Sequence, residues 1–257
     1  MLRYSVSLAL RLFGNVVKGV FFAVHAIWPG LRFEIPAKAP ALLGSRRAKA
    51  VPRVVWQTNY SRRVSLAVYA NYLFNRLMAP THEFRMLEDA DIEEFVRQAC
   101  PPDICNNYEK LQKGAAKADF WRLLTLYHNG GVYIDIDATL IWPLDSIIKA
   151  DDRHVFIEYQ PGQVTNYFIA AAPNDPYLGR LIDAVNRNIS DNILVSVHAI
   201  TGPEVLQSVL KDQPIKVLNC RQVCRQGILT NDLFQFLDRP TGKWHREERV
   251  VPVIRGQ

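Results

Sequence analysis

The chain has 257 residues, of which 49% are hydrophobic and 22% are charged, and its formal net charge is +6. This length suits one large α/β domain or two small ones, and the composition is that of a globular protein rather than a disordered or fibrous one. The positive charge fits an anionic substrate or an acidic lipid surface. A nucleic-acid partner is not predicted, because no dense run of Lys and Arg is interleaved with aromatic residues.

The N-terminal region, residues 1–35, is predicted to form an amphipathic, membrane-associated helix. Residues 5–29 are mostly apolar, and the two interrupting cations, Arg11 and Lys18, are seven apart and share one helical face. The longest uninterrupted apolar stretch is about ten residues, below the roughly 20 that span a bilayer. We therefore expect a cytoplasmic protein that is peripheral on the inner face of a membrane. A single-pass signal anchor and an ordinary helix packed on the domain remain open.

Residues 36–50 are rich in Pro, Ala and basic residues and are predicted to be a linker before a domain at 51–257. Strands and helices then alternate, which favours an α/β sheet flanked by helices. The predicted strands are 53–58, 83–87, 155–158 and 167–171, and the predicted helices are 64–77, 91–99, 109–128, 176–188 and 204–210. The four cysteines lack the usual zinc-ligand spacing and are predicted to be free, buried thiols.

The stretch 115–140 contains the most informative pattern, an apolar helix, a Gly-Gly pair, a strand, and then Asp135 and Asp137. Because alternate residues of a strand point to the same side, both carboxylates are expected to face one way. Hard divalent cations prefer such oxygens and often share them with phosphates of a substrate. The pattern predicts a site for a metal-bound nucleoside diphosphate.

Two charged residues of the preceding helix, Asp119 and Arg122, are three apart and share a face. Their neighbours are mostly large and apolar, which indicates a buried helix. A charged pair held there is predicted to be ion-paired or bound to a ligand.

At these residues the chain resembles glycosyltransferase family 32, the DXD sugar transferases, which include mannosyltransferases and capsular-polysaccharide enzymes, with the large glucosylating toxins as distant relatives. The stretch 117–140 is similar to the donor-site motif of the family, and 52–59, 165–176 and 201–206 are similar to its flanking segments in the same order. The resemblance implies a GT-A fold, a Rossmann-like mixed sheet that binds a nucleotide-sugar together with Mn²⁺ or Mg²⁺. The nucleotide-sugar that the resemblance implies is a UDP-sugar.

The resemblance also implies roles for individual residues. Asp137 would ligate the metal directly, and Asp135 would contact the metal and the ribose. Asp119 and Arg122 would hold hydroxyl groups of the donor sugar and position the diphosphate. With Asp137, they are the predicted catalytic residues.

Three further donor contacts follow from the same resemblance. Trp56 would stack on the nucleotide base, Asn166 would lie near the donor sugar, and Trp244 would hydrogen-bond the diphosphate. Thr241 and His245 are candidates for a third metal ligand, although isolated polar residues are far more often simply solvated.

The resemblance predicts a metal-dependent hexosyltransferase that acts on a glycan, glycolipid or lipid-linked acceptor, and it implies retention at the anomeric carbon. One alternative is a phosphohydrolase or nucleotidyltransferase that uses the same aspartates with further carboxylates, for which the downstream candidates are Asp145, Asp151, Asp152 and Glu158. The other is a non-catalytic membrane-associated binding module.

Overall fold

The computed structural model describes residues 2–45, 47–239 and 251–256. The helices are α1 (Leu2–Ile27), α2 (Leu66–Met78), α3 (Asp89–Ala99), α4 (Pro102–Lys110), α5 (Gly114–Asn129), α6 (Leu144–Ile147), α7 (Pro176–Asp191), α8 (Val197–Ile200), α9 (Pro203–Leu210) and α10 (Asp232–Gln235). The strands are β1 (Phe33–Glu34), β2 (Lys38–Ala39), β3 (Val54–Thr58), β4 (Arg63–Val64), β5 (Glu83–Leu87), β6 (Gly131–Ile134), β7 (Ala138–Leu140), β8 (His154–Glu158), β9 (Val164–Ala171), β10 (Val217–Asn219) and β11 (Cys224–Gln226).

Seven strands form one mixed sheet in the order β10-β8-β9-β6-β3-β5-β2. Strand β3 runs parallel to both β5 and β6, whereas β9 is antiparallel to its neighbours β6 and β8. One apolar cluster lies on each face of the sheet. Helix α5 packs in the cluster that contains Trp56 and Tyr133. This is the α/β class that the sequence predicts, a mixed sheet flanked by helices.

The turn from α5 into β6 depends on two glycines. Gly130 and Gly131 have φ angles of 63° and 109°, a region that other residues rarely adopt. A Cβ on Gly131 would lie 2.7 Å from the carbonyl oxygen of Val54. Glycine therefore allows β6 to pair closely with β3 directly after the helix.

The prediction of a single helix over 109–128 is wrong at its start, because two helices occupy this region. Helix α4 ends at Lys110, and α5 begins at Gly114. The break is occupied by the C-terminal segment, since Gln112 donates its backbone N–H to Val253 and Arg255 donates to Lys110. Periodicity alone does not reveal a break caused by a segment more than 100 residues away.

Helix α1 docks on the domain along one face. Gly14 packs so closely that a Cβ would lie 2.2 Å from the carbonyl oxygen of Ile228, and Phe21 is buried against Phe234. Lys18 turns towards the domain and donates to the carbonyl of Gly227 at 2.7 Å. By length and composition alone, α1 is also long and apolar enough to cross a membrane.

The division into regions 1–35, 36–50 and 51–257 stays a prediction. The segment predicted as a linker does contribute a strand, because β2 pairs with β5 at the edge of the large sheet. The four cysteines are free thiols, but only Cys220 and Cys224 are buried as predicted, whereas Cys100 and Cys105 are half-buried.

Candidate active site

A cleft of about 490 Å³ opens where β3 and β6 end and β9 begins. The parallel strands β3 and β6 bring their carboxyl ends to this edge, which is where open α/β sheets bind ligands. The antiparallel β9 brings its first residues to the same edge. The fold thus directs Asp135, Asp137 and Asn166 into one cavity.

The two aspartates converge through a turn rather than through strand alternation, which corrects the predicted geometry. Strand β6 ends at Ile134, and Ala138 donates its N–H to the carbonyl of Asp135 at 3.0 Å. Both carboxylates nevertheless reach one point, since the side-chain nitrogen of Gln226 lies 3.1 Å from an oxygen of each. The site therefore contains a pair of acidic groups that face a common centre.

This pair is electrostatically costly without a cation. Burial and the neighbouring Asp135 carboxylate raise the pKa of Asp137 above its ordinary value. The negative charge of Asp135 is better stabilised, because its carboxylate accepts a hydrogen bond from the Tyr133 hydroxyl at 2.7 Å and lies 3.3 Å from the Arg122 guanidinium. A divalent cation would relieve the repulsion, and its preference for oxygen ligands fits these carboxylates.

Asp119 and Arg122 form a buried ion pair beside the aspartates. The two side chains lie 2.8 Å apart, and Arg122 also donates to the backbone carbonyl of Asn166 at 2.7 Å. The guanidinium stacks on the Tyr133 ring, 4.3 Å from its centroid. Burial raises the pKa of Asp119 to about 7 despite the adjacent cation. Both residues of the pair line the cleft.

Asn166 and Thr201 complete this network. The Asn166 amide donates to Asp119 at 2.9 Å, and the Thr201 hydroxyl donates to the other oxygen of the same carboxylate at 3.4 Å. The structure thus brings Asp119, Arg122 and Asn166 together around the acidic pair. Their assignment as donor-binding residues stays a prediction.

Trp56 does not reach the cleft, contrary to its predicted position against a nucleotide base. Its ring is buried in the apolar cluster with α5, and the indole N–H donates to the carbonyl of Gly130 at 2.9 Å. The aromatic residues that do line the cleft are Tyr60, Tyr133, Tyr159, Tyr167 and Phe236. Tyr60 lies four residues after Trp56, just beyond the end of β3. Its ring stacks on that of Phe236, with the ring centroids 6.2 Å apart.

The wall of the cleft also includes residues whose role the sequence did not indicate. Gln226, Asp232 and Arg239 come from the last third of the chain, and no local motif distinguishes them. His198 lines the cleft as well. Trp244, Thr241 and His245 lie outside the described residues.

The further carboxylates that a two-metal phosphohydrolase would use are engaged away from the acidic pair. Asp145 is ion-paired with Lys49 and Arg53, and Asp152 is ion-paired with Lys216. Asp151 is exposed, and Glu158 accepts from the backbone of Gly162. Within the described ranges, no group of three or more His, Cys, Asp or Glu side chains could hold a metal ion.

The mixed sheet with an acidic pair in a cleft at the carboxyl ends of its strands has the GT-A fold. In fold, the chain is similar to the solved structure titled "PaToxG Glycosyltransferase", with a TM-score of 0.50, 14% identity, and coverage of 82% of this chain and 80% of that chain.

Sequence comparison gives the family. Residues 53–154 match the model described as "Glycosyltransferase sugar-binding region containing DXD motif". This region therefore belongs to the DXD glycosyltransferases, and the resemblance noted in the sequence is confirmed.

Two relatives are named initiation-specific alpha-1,6-mannosyltransferase. The one from Schizosaccharomyces pombe is 28% identical over 226 residues, which are 74% of this chain and 53% of that protein. The one from Candida albicans is 35% identical over 88 residues, which are 34% of this chain and 22% of that protein. The chain thus spans about half the length of the first of these relatives.

Proposed function

We propose that the chain is a metal-dependent glycosyltransferase that moves a sugar from a nucleoside-diphosphate sugar to a glycan or lipid-linked acceptor. The observation that carries the proposal is the convergence of Asp135 and Asp137 on one point of the cleft beside the buried Arg122. UDP is the nucleotide expected from the family resemblance and GDP is its alternative. The resemblance also suggests retention at the anomeric carbon.

Asp135 and Asp137 would hold the cation, Mn²⁺ or Mg²⁺. When bound, the cation supplies a Lewis acid that stabilises the charge on the departing nucleoside diphosphate. The raised pKa of Asp137 supports this assignment, because burial and the adjacent Asp135 carboxylate both disfavour its charge, which a bound cation would stabilise.

Arg122 and Asp119 would bind and orient the donor. The guanidinium is held by Asp119, Asp135 and the Asn166 carbonyl, so its orientation needs no rearrangement when a ligand enters. A fixed cation of this kind favours negative charge as it develops on a phosphate oxygen. The carboxylate of Asp119 and the amide of Asn166 can accept from and donate to sugar hydroxyls at the same wall.

The acceptor is proposed to lie at a membrane surface, and α1 supports this. Opposite its docked face, α1 exposes an apolar ridge of Leu8, Leu12, Val16, Val20 and Ile27, each more than half exposed. The spacing of four residues keeps the first four members on one side. Because the other side is bound to the domain through Gly14 and Phe21, the ridge suits a helix lying in the plane of the interface.

The purified full chain, incubated with a panel of UDP- and GDP-sugars and Mn²⁺, tests the proposal. We expect one donor to be hydrolysed to nucleoside diphosphate and free sugar, and EDTA to stop the reaction. Asp137→Asn should lose this activity, whereas Asp145→Asn, which alters an acidic residue away from the pair, should retain it.

Two results would refute the transferase proposal. Release of inorganic phosphate without cleavage of any sugar nucleotide would favour the phosphohydrolase. Lipid binding without turnover of any donor would favour the binding module.

A further inference from the structure

The side chain of Gln226 lies where the two aspartates converge, and the family match, which ends at residue 154, does not extend to it. Its amide nitrogen donates to Asp135 Oδ2 and to Asp137 Oδ1, both at 3.1 Å. One carboxamide thus bridges two carboxylates that would otherwise repel each other. It occupies the space into which both acidic groups point.

The backbone holds Gln226 in register with the aspartates. Strand β11 pairs antiparallel with β7, so that Gln226 lies directly opposite Ala138, the residue that follows Asp137. The next residue, Gly227, donates its N–H to the carbonyl of Asp137 at 3.1 Å. Although the side chain is exposed, its starting point is therefore fixed by a β-ladder that includes the acidic turn.

The chemistry of the amide allows a second arrangement at the same position. A rotation of about 180° about the last side-chain torsion exchanges the NH₂ group for the carbonyl oxygen. Amide oxygens are ordinary ligands of hard divalent cations. No third His, Cys, Asp or Glu side chain forms a metal-binding group with the pair in the part of the chain that the structure describes. Asp232 also lines the cleft, but the Gln226 amide is the group that hydrogen-bonds to both carboxylates.

We propose that Gln226 is the third protein ligand of the divalent cation, an inference that rests on the proposed metal-dependent function. Without the cation, the NH₂ group bridges Asp135 and Asp137. With the cation, the amide turns and presents its oxygen, while the two carboxylates keep their places.

A purely structural role for Gln226 predicts the opposite sign. If the amide only stabilises the metal-free pair, it competes with the cation, and its removal should tighten metal binding. If it is a ligand, its removal should weaken metal binding. The direction of the change therefore separates the two roles.

The experiment measures the affinity of the full chain for Mn²⁺ alone, without any nucleotide, from the electron paramagnetic resonance signal of the free ion. The variants are Gln226→Ala, Gln226→Glu and the control Gln235→Ala, which alters another glutamine of the cleft wall. We expect Gln226→Ala to weaken Mn²⁺ binding by about tenfold, the lower end of the loss typical when a partner of a metal site is removed. Gln226→Glu should bind at least as tightly as the parent, and Gln235→Ala should match it.

The outcomes separate this inference from the function on which it rests. Equal or tighter Mn²⁺ binding by Gln226→Ala, with a parent that binds Mn²⁺, overturns the role of Gln226 alone. A parent that does not bind Mn²⁺ overturns both the metal dependence and the ligand. Melting temperatures of the variants within a few degrees of the parent exclude misfolding. If Gln226→Ala does not fold, Gln226→Met provides the same comparison, because its side chain is similar in length but has no oxygen ligand for Mn²⁺.

Discussion

The indole N–H of Trp56 donates a hydrogen bond to the carbonyl oxygen of Gly130 at 2.9 Å, so the ring is fixed to the turn between α5 and β6. A Cβ on Gly131 would lie 2.9 Å from the same indole nitrogen, and the Arg85 guanidinium covers the ring at 5.1 Å. Trp56 therefore supports the strand that carries the aspartates instead of contacting a ligand in the cleft.

Trp56→Phe should destabilise the protein without weakening nucleotide binding. The substitution leaves a buried carbonyl unpaired, at a cost of about 1–3 kcal/mol, which urea unfolding would measure. Tyr60→Ala provides the contrast, because Tyr60 lines the cleft and stacks on Phe236. It should weaken UDP binding in calorimetry by about fivefold or more, if a base stacks there. A Trp56→Phe protein of normal stability with weakened UDP binding would contradict this assignment.

Mn²⁺ and a nucleoside diphosphate together should raise the melting temperature of the parent. At 100 times the dissociation constant, linkage gives about 2.7 kcal/mol, or roughly 5–10 °C for a domain of this size. Asp137→Asn should lose this shift, because the cation loses one of its two carboxylates. Asp145→Asn should melt lower, because its Lys49 and Arg53 partners lose their anion, but it should keep the shift. A full shift in Asp137→Asn would show that the cation binds elsewhere.

Arg122→Met should be strongly destabilising. Arg122 is 4% exposed, and its removal leaves two carboxylates without their cation, which costs about 3–5 kcal/mol for a buried pair. Arg97→Met is the matched control, since Arg97 pairs with Glu94 in solvent and should change the unfolding free energy by no more than about 1 kcal/mol. Equal effects of the two variants in urea unfolding would refute the structural role of the buried pair.

Arg122→Lys separates binding from folding. It keeps the charge but not the planar fork that reaches three partners, so more stability should remain than in Arg122→Met. Donor hydrolysis should still fall by at least tenfold, because a point charge does not reproduce the guanidinium geometry. A lysine variant with parental turnover would remove Arg122 from the predicted catalytic residues.

His82 makes stability sensitive to acid. Burial lowers its pKa from 6.5 to about 4, so the folded protein resists protonation that the unfolded chain accepts. The stability from neutral His82 is therefore present above pH 6.5 and is lost as the pH falls towards 4, by up to about 3 kcal/mol. Urea unfolding at pH 7 and pH 4.5 should show a smaller loss in His82→Gln than in the parent. The same loss in both proteins would rule out His82 as the cause.

The exposed ridge of α1 should govern membrane binding. Leu12→Glu and Val16→Glu place a charge on the ridge and should reduce sedimentation with vesicles that contain anionic lipid by at least severalfold. Ile193→Glu adds the same charge at an exposed apolar residue outside α1 and should change binding less. A helix that crosses the bilayer would instead resist extraction at alkaline pH in all three variants, which would exclude the in-plane arrangement.

Local sequence patterns were enough to predict many of the strands, helices and site residues of this protein. Three features depend only on neighbouring residues and can therefore be predicted without the tertiary structure. They are the β-branched run at 54–58, the amphipathic periodicity of α2 and the Gly-Gly pair that ends α5 before β6. The motif at 117–140 likewise identified the acidic pair and the family. Asp119 and Arg122, three residues apart on one helix, were recognisable as a buried pair for the same reason.

Only the tertiary structure decided what those local elements face. Trp56 turns into the core because α5 packs over that side of β3. The acidic pair converges through the turn between β6 and β7, which is held by backbone hydrogen bonds such as that from Gly227 to Asp137. Gln226 is 89 residues from Asp137, and only the pairing of β11 with β7 brings them together. Side-chain direction and contacts between distant segments depend on packing over the whole domain, which no local spacing encodes.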